Sequence, residues 1–306
     1  MFNVNEIMMN KTNQAFSIKD LENICGIKAH TIRIWEKRYH LLTPERTDTN
    51  IRSYNMENLQ KLLNVTFLVS CGYKISRISK LEPEEILEYV TSIVSDKTTV
   101  DRSMNSLKLA MLNYNTTIFT DTFNELSERF SFSQIFYDIF IPFLGEVGML
   151  WQTNTINSSH EHFITSLIKQ KLWAKIDSLQ QQVTNHEQTF VLYLPSGETN
   201  DLSLLFINTL ILEKGYKTIF LGPNVSTDYL KDLSELQNNL VFVSYFTLQP
   251  HIDEVNEYIA NFKNEICVPN EHELWVMGRQ LKEVPVPISA QIKIIQSFTD
   301  FEKILG

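Results

Sequence analysis

The spacing of the apolar residues changes once along the chain, near residue 189, and this change limits how the chain can fold. Between residues 84 and 181 the apolar residues recur at helical intervals, as in Leu107/Met111. From residue 189 onwards, short apolar runs rich in β-branched and aromatic residues alternate with helical stretches. These runs are TFVLYLP, KTIFLGP, LVFVSYF, ELWVMG and QIKIIQS. The pattern predicts helices first and then a parallel sheet with helices on both faces.

Breaks in the pattern near Pro83 and near residues 182–189 divide the chain further. Five apolar runs predict a doubly wound, flavodoxin-like domain with a five-stranded parallel sheet. The fold class is therefore multidomain, α followed by α/β. We expect a disordered N-terminus at 1–14, a winged helix-turn-helix domain at 15–82, a bundle of four or five helices at 84–182 and the flavodoxin-like domain at 188–306.

The composition restricts the class of protein and its compartment. The 306 residues are 43% hydrophobic and 21% charged, which excludes a fully disordered chain. No apolar run approaches the roughly 20 residues of a membrane span, and the first residues lack the pattern of a secretory signal. The three cysteines, Cys25, Cys71 and Cys267, are far apart and have no metal-site spacing, which fits a reducing cytoplasm.

Charge is unevenly distributed along the chain. The whole protein has a formal net charge of −9, whereas residues 16–80 contain 11 Lys and Arg against 6 Asp and Glu. A small basic module on an acidic body indicates a domain that binds a polyanion. From charge alone, uneven solvation of two unrelated domains is an equal alternative.

The basic module has the pattern of two helices joined by a tight turn. Ser17 opens a capping box, and Gly26 ends the first helix where a residue without Cβ is favoured. A second helix is predicted over residues 29–39, followed by a polar loop at 43–53. A third helix is predicted to begin at Asn55. Helix, tight turn and basic helix together form a helix-turn-helix pattern.

The second helix separates its apolar residues from its charged ones. Ile32 and Trp35 are spaced to pack inward, which leaves the basic side chains for a DNA groove and its phosphates. The alternative is an amphipathic helix whose charges only face water. The candidate DNA contacts are Thr31, Arg33, Lys37 and Arg38 on the helix, and Arg46, Arg52 and Tyr54 in the loop, which would act as a wing.

This module resembles the winged helix-turn-helix of MerR-family transcription regulators. The resemblance is carried by SIKDLENICGI, by the recognition helix HTIRIWEKRY and by the wing ERTDTNIRSY. It implies a dimer on a pseudo-palindromic promoter, and it implies DNA contacts at the seven positions just given. Asn50-Ile51-Arg52 replaces the more frequent Gly-Tyr-Arg of the family's wing tip.

The rest of the chain resembles the cobalamin-binding module of methionine synthase, which CarH-type light-dependent repressors carry behind a MerR head. The first marker of that group is a Trp followed, after nine residues, by Glu-His. Trp151, Glu161 and His162 have this spacing. The alternative is that Trp151 is a core residue and that Ser158 opens a capping box. Gln152 stands where light-sensing members have a His, so capture of the cofactor by that position after illumination is not expected.

The second marker is Glu or Asp, one residue, His, two residues, Gly, in the loop after the first strand. Glu198 fills the carboxylate position, but Asn200 stands in place of the cobalt-ligating His and Ser203 in place of the Gly. An amide is a poor cobalt ligand compared with imidazole. By the same resemblance, Ser244, Thr247 and Gly278 are the remaining candidate contacts of a cobalamin tail.

These patterns lead to one functional expectation. We expect a DNA-binding transcription regulator, more a promoter-covering repressor than an activator, acting as a dimer or higher oligomer. Its C-terminal sensor or oligomerisation module has lost His-on cobalamin ligation. The alternative is a cobalamin-dependent, light-responsive regulator; a corrinoid carrier or enzyme is more distant. We expect no catalytic residue, no metal and no cofactor, and a location in the bacterial cytoplasm at the nucleoid. The expected partners are promoter DNA, further copies of the chain, and RNA polymerase or an antirepressor.

Overall fold

The computed structural model describes residues 15–46, 51–93, 96–282 and 289–306. The expected disorder at 1–14 and the wing-tip residue Asn50 lie outside these residues. The chain forms two compact units, Met1–Leu167 and Ile168–Gly306. The boundary between the units lies within the long helix Ser158–Gln180. The sequence predicts this helix as the last one of the bundle, but its C-terminal part belongs to the second unit.

The first unit contains short helices, a small two-stranded sheet and a set of longer helices. In chain order its elements are α1 (Ile18–Cys25), α2 (Ala29–Tyr39), β1 (Glu45–Arg46), β2 (Arg52–Ser53), α3 (Met56–Ser70), α4 (Ile75–Ile78), α5 (Pro83–Ser92), α6 (Asp96–Leu112), α7 (Thr116–Ser127), α8 (Phe132–Ile135), α9 (Ile141–Gln152) and α10 (Ser158–Gln180). The five residues Phe136–Phe140 form a π-helical turn between α8 and α9.

The first three helices follow the local signals of the sequence. The Ser17 hydroxyl accepts the Asp20 backbone N–H, and the Asp20 carboxylate accepts the Ser17 N–H. Gly26 ends α1 with φ of 72°, a left-handed conformation that glycine adopts at low cost. Asn55 caps the start of α3. Apolar side chains of the three helices, among them Leu21 and Ile32, pack together in the core of this winged helix-turn-helix domain.

Two contacts join α1 to the helical bundle within the first unit. Asn23 Nδ2 donates to Thr155 Oγ1, in the loop between α9 and α10, at 2.9 Å. The ammonium group of Lys108 on α6 donates to the Ile24 carbonyl at 3.3 Å and forms an ion pair with Glu146 on α9. Since Lys108 is nearly buried, these polar partners offset the cost of removing its charge from water.

The second unit is built around one parallel sheet. Beyond the last part of α10 its elements are β3 (Asn185–Pro195), α11 (Leu202–Glu213), β4 (Tyr216–Val225), α12 (Thr227–Leu236), β5 (Leu240–Tyr245), α13 (Val255–Phe262), α14 (Val268–Asn270), β6 (Glu273–Met277), β7 (Ile292–Ile294) and α15 (Phe298–Leu305). The strand order is β4-β3-β5-β6-β7, and all neighbouring strands are parallel. The predicted α plus α/β fold class and the doubly wound, flavodoxin-like sheet are confirmed.

The strand order reverses between β3 and β5. In open α/β sheets ligands bind beyond the carboxyl ends of the strands at such a point. The loops after β3 and β5 therefore contain the candidate residues of this unit. Gly278 follows β6, and a Cβ at this position would lie 2.2 Å from the Phe246 carbonyl oxygen. Glycine is thus required here for the close approach of two backbone segments.

Candidate DNA-binding face and ligand-binding motifs

The recognition helix α2 presents a basic face to solvent. Ile32 and Trp35 are buried against the domain core, as the sequence predicts. Arg33, Lys37 and Arg38 are exposed, and Thr31 is half-buried. These four side chains can therefore approach a DNA groove without any change in the packing of the domain.

Glu36, on the same helix, links the helix to the wing. The Arg52 Nε donates to Glu36 Oε1 at 3.0 Å, and the Tyr54 hydroxyl donates to Glu36 Oε2 at 2.9 Å. We call this group of three residues the Glu36 clasp. The hydrogen bond to Glu36 raises the pKa of Arg52, and burial, reinforced by Glu36, raises the pKa of Tyr54. The clasp fixes the orientation of β2 relative to α2.

The structure corrects the expectation for Tyr54. Its side chain is 0% exposed and its hydroxyl is bonded to Glu36, so as placed it cannot clamp a phosphate. The physical reason is that its backbone pairs with Phe16 and its ring enters the core. Arg52 is half-buried beside it, whereas Arg46 on β1 is exposed. Sequence reasoning missed Glu36, because its partners lie 16 and 18 residues away and no local pattern joins them.

The Trp motif of the bundle lies at the surface of the first unit. Trp151 is 49% exposed, and Glu161 and His162 are exposed as well. The alternative reading of a core Trp151 and a Ser158 capping box is therefore wrong. The Asn157 side chain accepts the N–H groups at the start of α10, and Ser158 is already inside the helix.

The histidine two residues before His162 has a different environment. His160 is buried, and its ring stacks on that of Tyr114 with a centroid separation of 4.7 Å. Burial lowers the pKa of His160. Over the described parts of the chain, no group of three or more His, Cys, Asp or Glu residues is arranged to hold a metal ion.

In the second unit, Glu198 joins the two loops at the reversal of the strand order. Its carboxylate is 1% exposed and accepts four backbone N–H groups. Oε1 accepts those of Thr199 and Asn200 at 3.1 and 3.2 Å, and Oε2 accepts those of Leu248 and Gln249 at 2.7 and 3.2 Å. The carboxylate is thus fully used in holding the loop after β3 against the loop after β5.

Two of the other polar candidates of this unit, Asn200 and Ser244, also have partners within the domain. Asn200 is exposed, and its Oδ1 accepts the Leu202 N–H at the start of α11 at 3.4 Å. The buried Ser244 hydroxyl donates to the Tyr193 carbonyl on β3 at 2.9 Å. Thr247 is half-buried.

Large side chains fill the interior next to these strand ends. The Tyr258 hydroxyl donates to the Tyr193 hydroxyl at 3.1 Å. The Tyr193 ring also stacks on that of Phe262 with a centroid separation of 5.7 Å. Burial raises the pKa of Tyr193 and raises that of Tyr258 to about 12. Both phenols therefore stay neutral and act as packing groups.

Comparison with known families defines the class of protein. Residues 16–85 match the MerR HTH family regulatory protein model, and residues 104–174 match the B12 binding domain model. The chain is a DNA-binding transcription regulator that carries a MerR helix-turn-helix domain and a B12-binding domain.

The chain is homologous to two repressors of Myxococcus xanthus. It is 23% identical to the HTH-type transcriptional repressor CarH over 224 residues, which cover 71% of this chain and 74% of CarH. It is also 23% identical to the repressor CarA over 215 residues, covering 68% of each chain. These relatives are transcriptional regulators and not enzymes.

One solved structure supports the fold over about two thirds of the chain. The monomethylamine corrinoid protein of Methanosarcina barkeri aligns with a TM-score of 0.56 and 10% identity, covering 69% of this chain and 98% of that one. Over the residues that the structure describes, no helix is both long enough and apolar enough to cross a membrane.

Proposed function

We propose that this regulator binds a promoter as a dimer or higher oligomer and represses transcription by covering it. The observation that carries the proposal is the exposed basic face of α2, with Arg33 and Lys37 held outward by the buried Ile32 and Trp35. Two homologues that align with about 70% of the chain are named repressors. Such a protein works in the cytoplasm, at the nucleoid.

The test begins with a duplex selected by the full-length protein from a random DNA pool. The selected site is placed over a promoter, and transcription by purified RNA polymerase is measured as protein is added. Repression together with a mass of two or more chains on the DNA supports the proposal. Unchanged transcription, increased transcription or a monomer on DNA contradicts it. We also propose RNA polymerase or an antirepressor as a direct protein partner.

We further propose that the C-terminal domain does not hold cobalamin through a ligand below the cobalt, and serves as a scaffold for oligomerisation and docking. The residues of the second marker do not fit that role. Asn200 offers an amide in place of an imidazole, and its oxygen is bonded to the Leu202 N–H. The Glu198 carboxylate, which would orient such an imidazole, accepts four backbone N–H groups instead.

A second candidate function is a cobalamin-responsive regulator, in which the cofactor is held without the lower ligand. One observation favours it: Trp151, Glu161 and His162 keep the spacing of the family and are all exposed on the first unit. These side chains are available to a large planar ligand.

The two candidates are separated by the absorbance spectrum and the mass of the full chain after incubation with adenosylcobalamin in the dark and then after illumination. The scaffold proposal predicts a colourless protein peak of unchanged mass. Corrinoid absorbance that comigrates with the protein contradicts the scaffold proposal and supports the second candidate. A Trp151→Ala variant, which keeps the core intact, then shows whether the absorbance depends on the exposed motif.

A further inference from the structure

An exposed isoleucine lies in the middle of the basic face of α2. Ile34 is 52% exposed, whereas Ile32 and Trp35, the other large apolar side chains in this part of the helix, are buried. A single exposed apolar residue is common on protein surfaces and needs no explanation by itself. The position of Ile34 among the polar residues of the helix is what gives it significance.

Helical geometry places Ile34 at the centre of the outward face. Successive residues turn by about 100°, so Ile34 points about 160° away from the side chain of Ile32. Its neighbours one turn away on the helix surface are all polar, and all are exposed or half-buried. They are His30, Thr31, Lys37 and Arg38.

This orientation is fixed by contacts on the opposite side of the helix. Trp35 and Ile32 anchor α2 in the core, and the Glu36 clasp ties the helix to the wing. The helix therefore cannot turn Ile34 inward without breaking both the core packing and the hydrogen bonds of Glu36. If the basic residues of α2 contact DNA, Ile34 therefore contacts it as well.

We propose that Ile34 is a specificity-determining residue that packs against the 5-methyl group of a thymine in the major groove. A recognition helix of this type lies in the major groove, where the thymine methyl is the main apolar feature of the base edges. The basic neighbours Lys37 and Arg38 supply affinity through phosphates, which carry no sequence information. Ile34 adds a sequence preference that neither Lys37 nor Arg38 provides through phosphate contacts.

The proposal is tested in two steps with the full-length protein. Wild type and an Ile34→Ala variant each select duplexes from the same random pool. The wild type is expected to enrich a thymine at one position in each half-site, and Ile34→Ala is expected to lose that enrichment alone. Alanine favours the helix and Ile34 is half exposed, so the variant is expected to fold.

The second step removes only the methyl group, by replacing the selected thymine with deoxyuridine. Wild-type affinity is expected to fall about fourfold, the value for one buried methyl-sized group, while the affinity of Ile34→Ala is unchanged by the replacement. Leu87→Ala, which removes an exposed apolar residue from α5, is the matched control and should behave as wild type. The proposal is overturned by a thymine preference that persists in Ile34→Ala, by the absence of a thymine preference in the wild type, or by equal wild-type affinity for both duplexes.

Discussion

The recognition helix and the loop after β3 use their polar side chains in opposite ways. On α2, Arg33 and Lys37 point into solvent while the apolar residues hold the helix in place. In the loop after β3, Glu198 is buried and bonded to the backbone of two loops. Polar residues exposed on a rigid element are available to a partner, whereas buried ones with all bonds made stabilise the fold. The exposed side chains of α2 are therefore suited to binding DNA, whereas Glu198 stabilises the fold of the C-terminal domain.

The largest expected effect is on the stability of the C-terminal domain, through Glu198. Glu198→Ala removes the acceptor of four backbone N–H groups and should lower the free energy of unfolding of the C-terminal domain by about 3 kcal/mol. Denaturant unfolding of the full chain measures this loss. Glu235→Ala, at an exposed position on α12, is the matched control and should be neutral. A Glu198→Ala protein as stable as wild type would show that the carboxylate has no supporting role.

The second effect is on the binding region. Arg33→Ala should weaken binding to the selected duplex by about 2 kcal/mol, or about thirtyfold, because a guanine contact of arginine is lost. The circular dichroism spectrum should stay unchanged, since Arg33 is exposed. Arg279→Ala, an exposed arginine of the other unit, is the control for loss of one positive charge. Equal affinities of Arg33→Ala and wild type for the duplex would show that α2 is not the recognition helix.

The Glu36 clasp connects stability to binding within the DNA-binding domain. Tyr54→Phe removes one hydrogen bond to Glu36 and should cost about 1 kcal/mol of stability, with a smaller loss of DNA affinity than Arg33→Ala causes. A double-mutant cycle with Arg52→Ala measures whether the two partners of Glu36 are coupled. If the stability losses of the two single variants add up to that of the double variant, Tyr54 and Arg52 do not act as a unit through Glu36.

The smallest expected effect is the contribution of His160, the buried histidine beside the Trp motif, to the pH dependence of stability. Burial lowers the pKa of His160, so the unfolded chain takes up its proton at a higher pH than the folded chain does. The stabilisation from neutral His160 is complete above the unfolded pKa of about 6.5 and is lost as the pH falls towards the folded value. Thermal unfolding of wild type and His160→Gln between pH 7.5 and pH 5 measures this slope. An equal slope in both proteins would remove His160 as its source.

Local signals in the sequence were sufficient for much of the fold. Ser17 and Gly26 placed the bounds of α1, and Asn55 placed the start of α3, because a cap requires only residues three or four positions apart. The five strands followed from runs of β-branched and aromatic residues, and their alternation with helices led to the parallel order. In the bundle the sequence offered Ser158 as an alternative cap for α10, and the structure has Asn157 there instead, because both residue types are good caps and only the backbone decides between them.

The environment of the candidate site residues was less predictable. The burial of Tyr54 depends on its pairing with Phe16, 38 positions earlier in the chain, and on Glu36. The bonds of Glu198 to Leu248 and Gln249 join two loops about 50 residues apart. A sequence pattern can indicate which residue types suit a ligand, but it does not show which of them are already bonded within the protein.

We propose that the DNA-binding face operates without cobalamin, since the Asn200 side-chain oxygen and the Glu198 carboxylate are bonded within their own domain. The direct measurement is the Kd of the full chain for its selected duplex, with and without adenosylcobalamin, in the dark and after illumination. The account predicts the same Kd in all four conditions. A Kd that changes with adenosylcobalamin, and changes again on illumination, would contradict it.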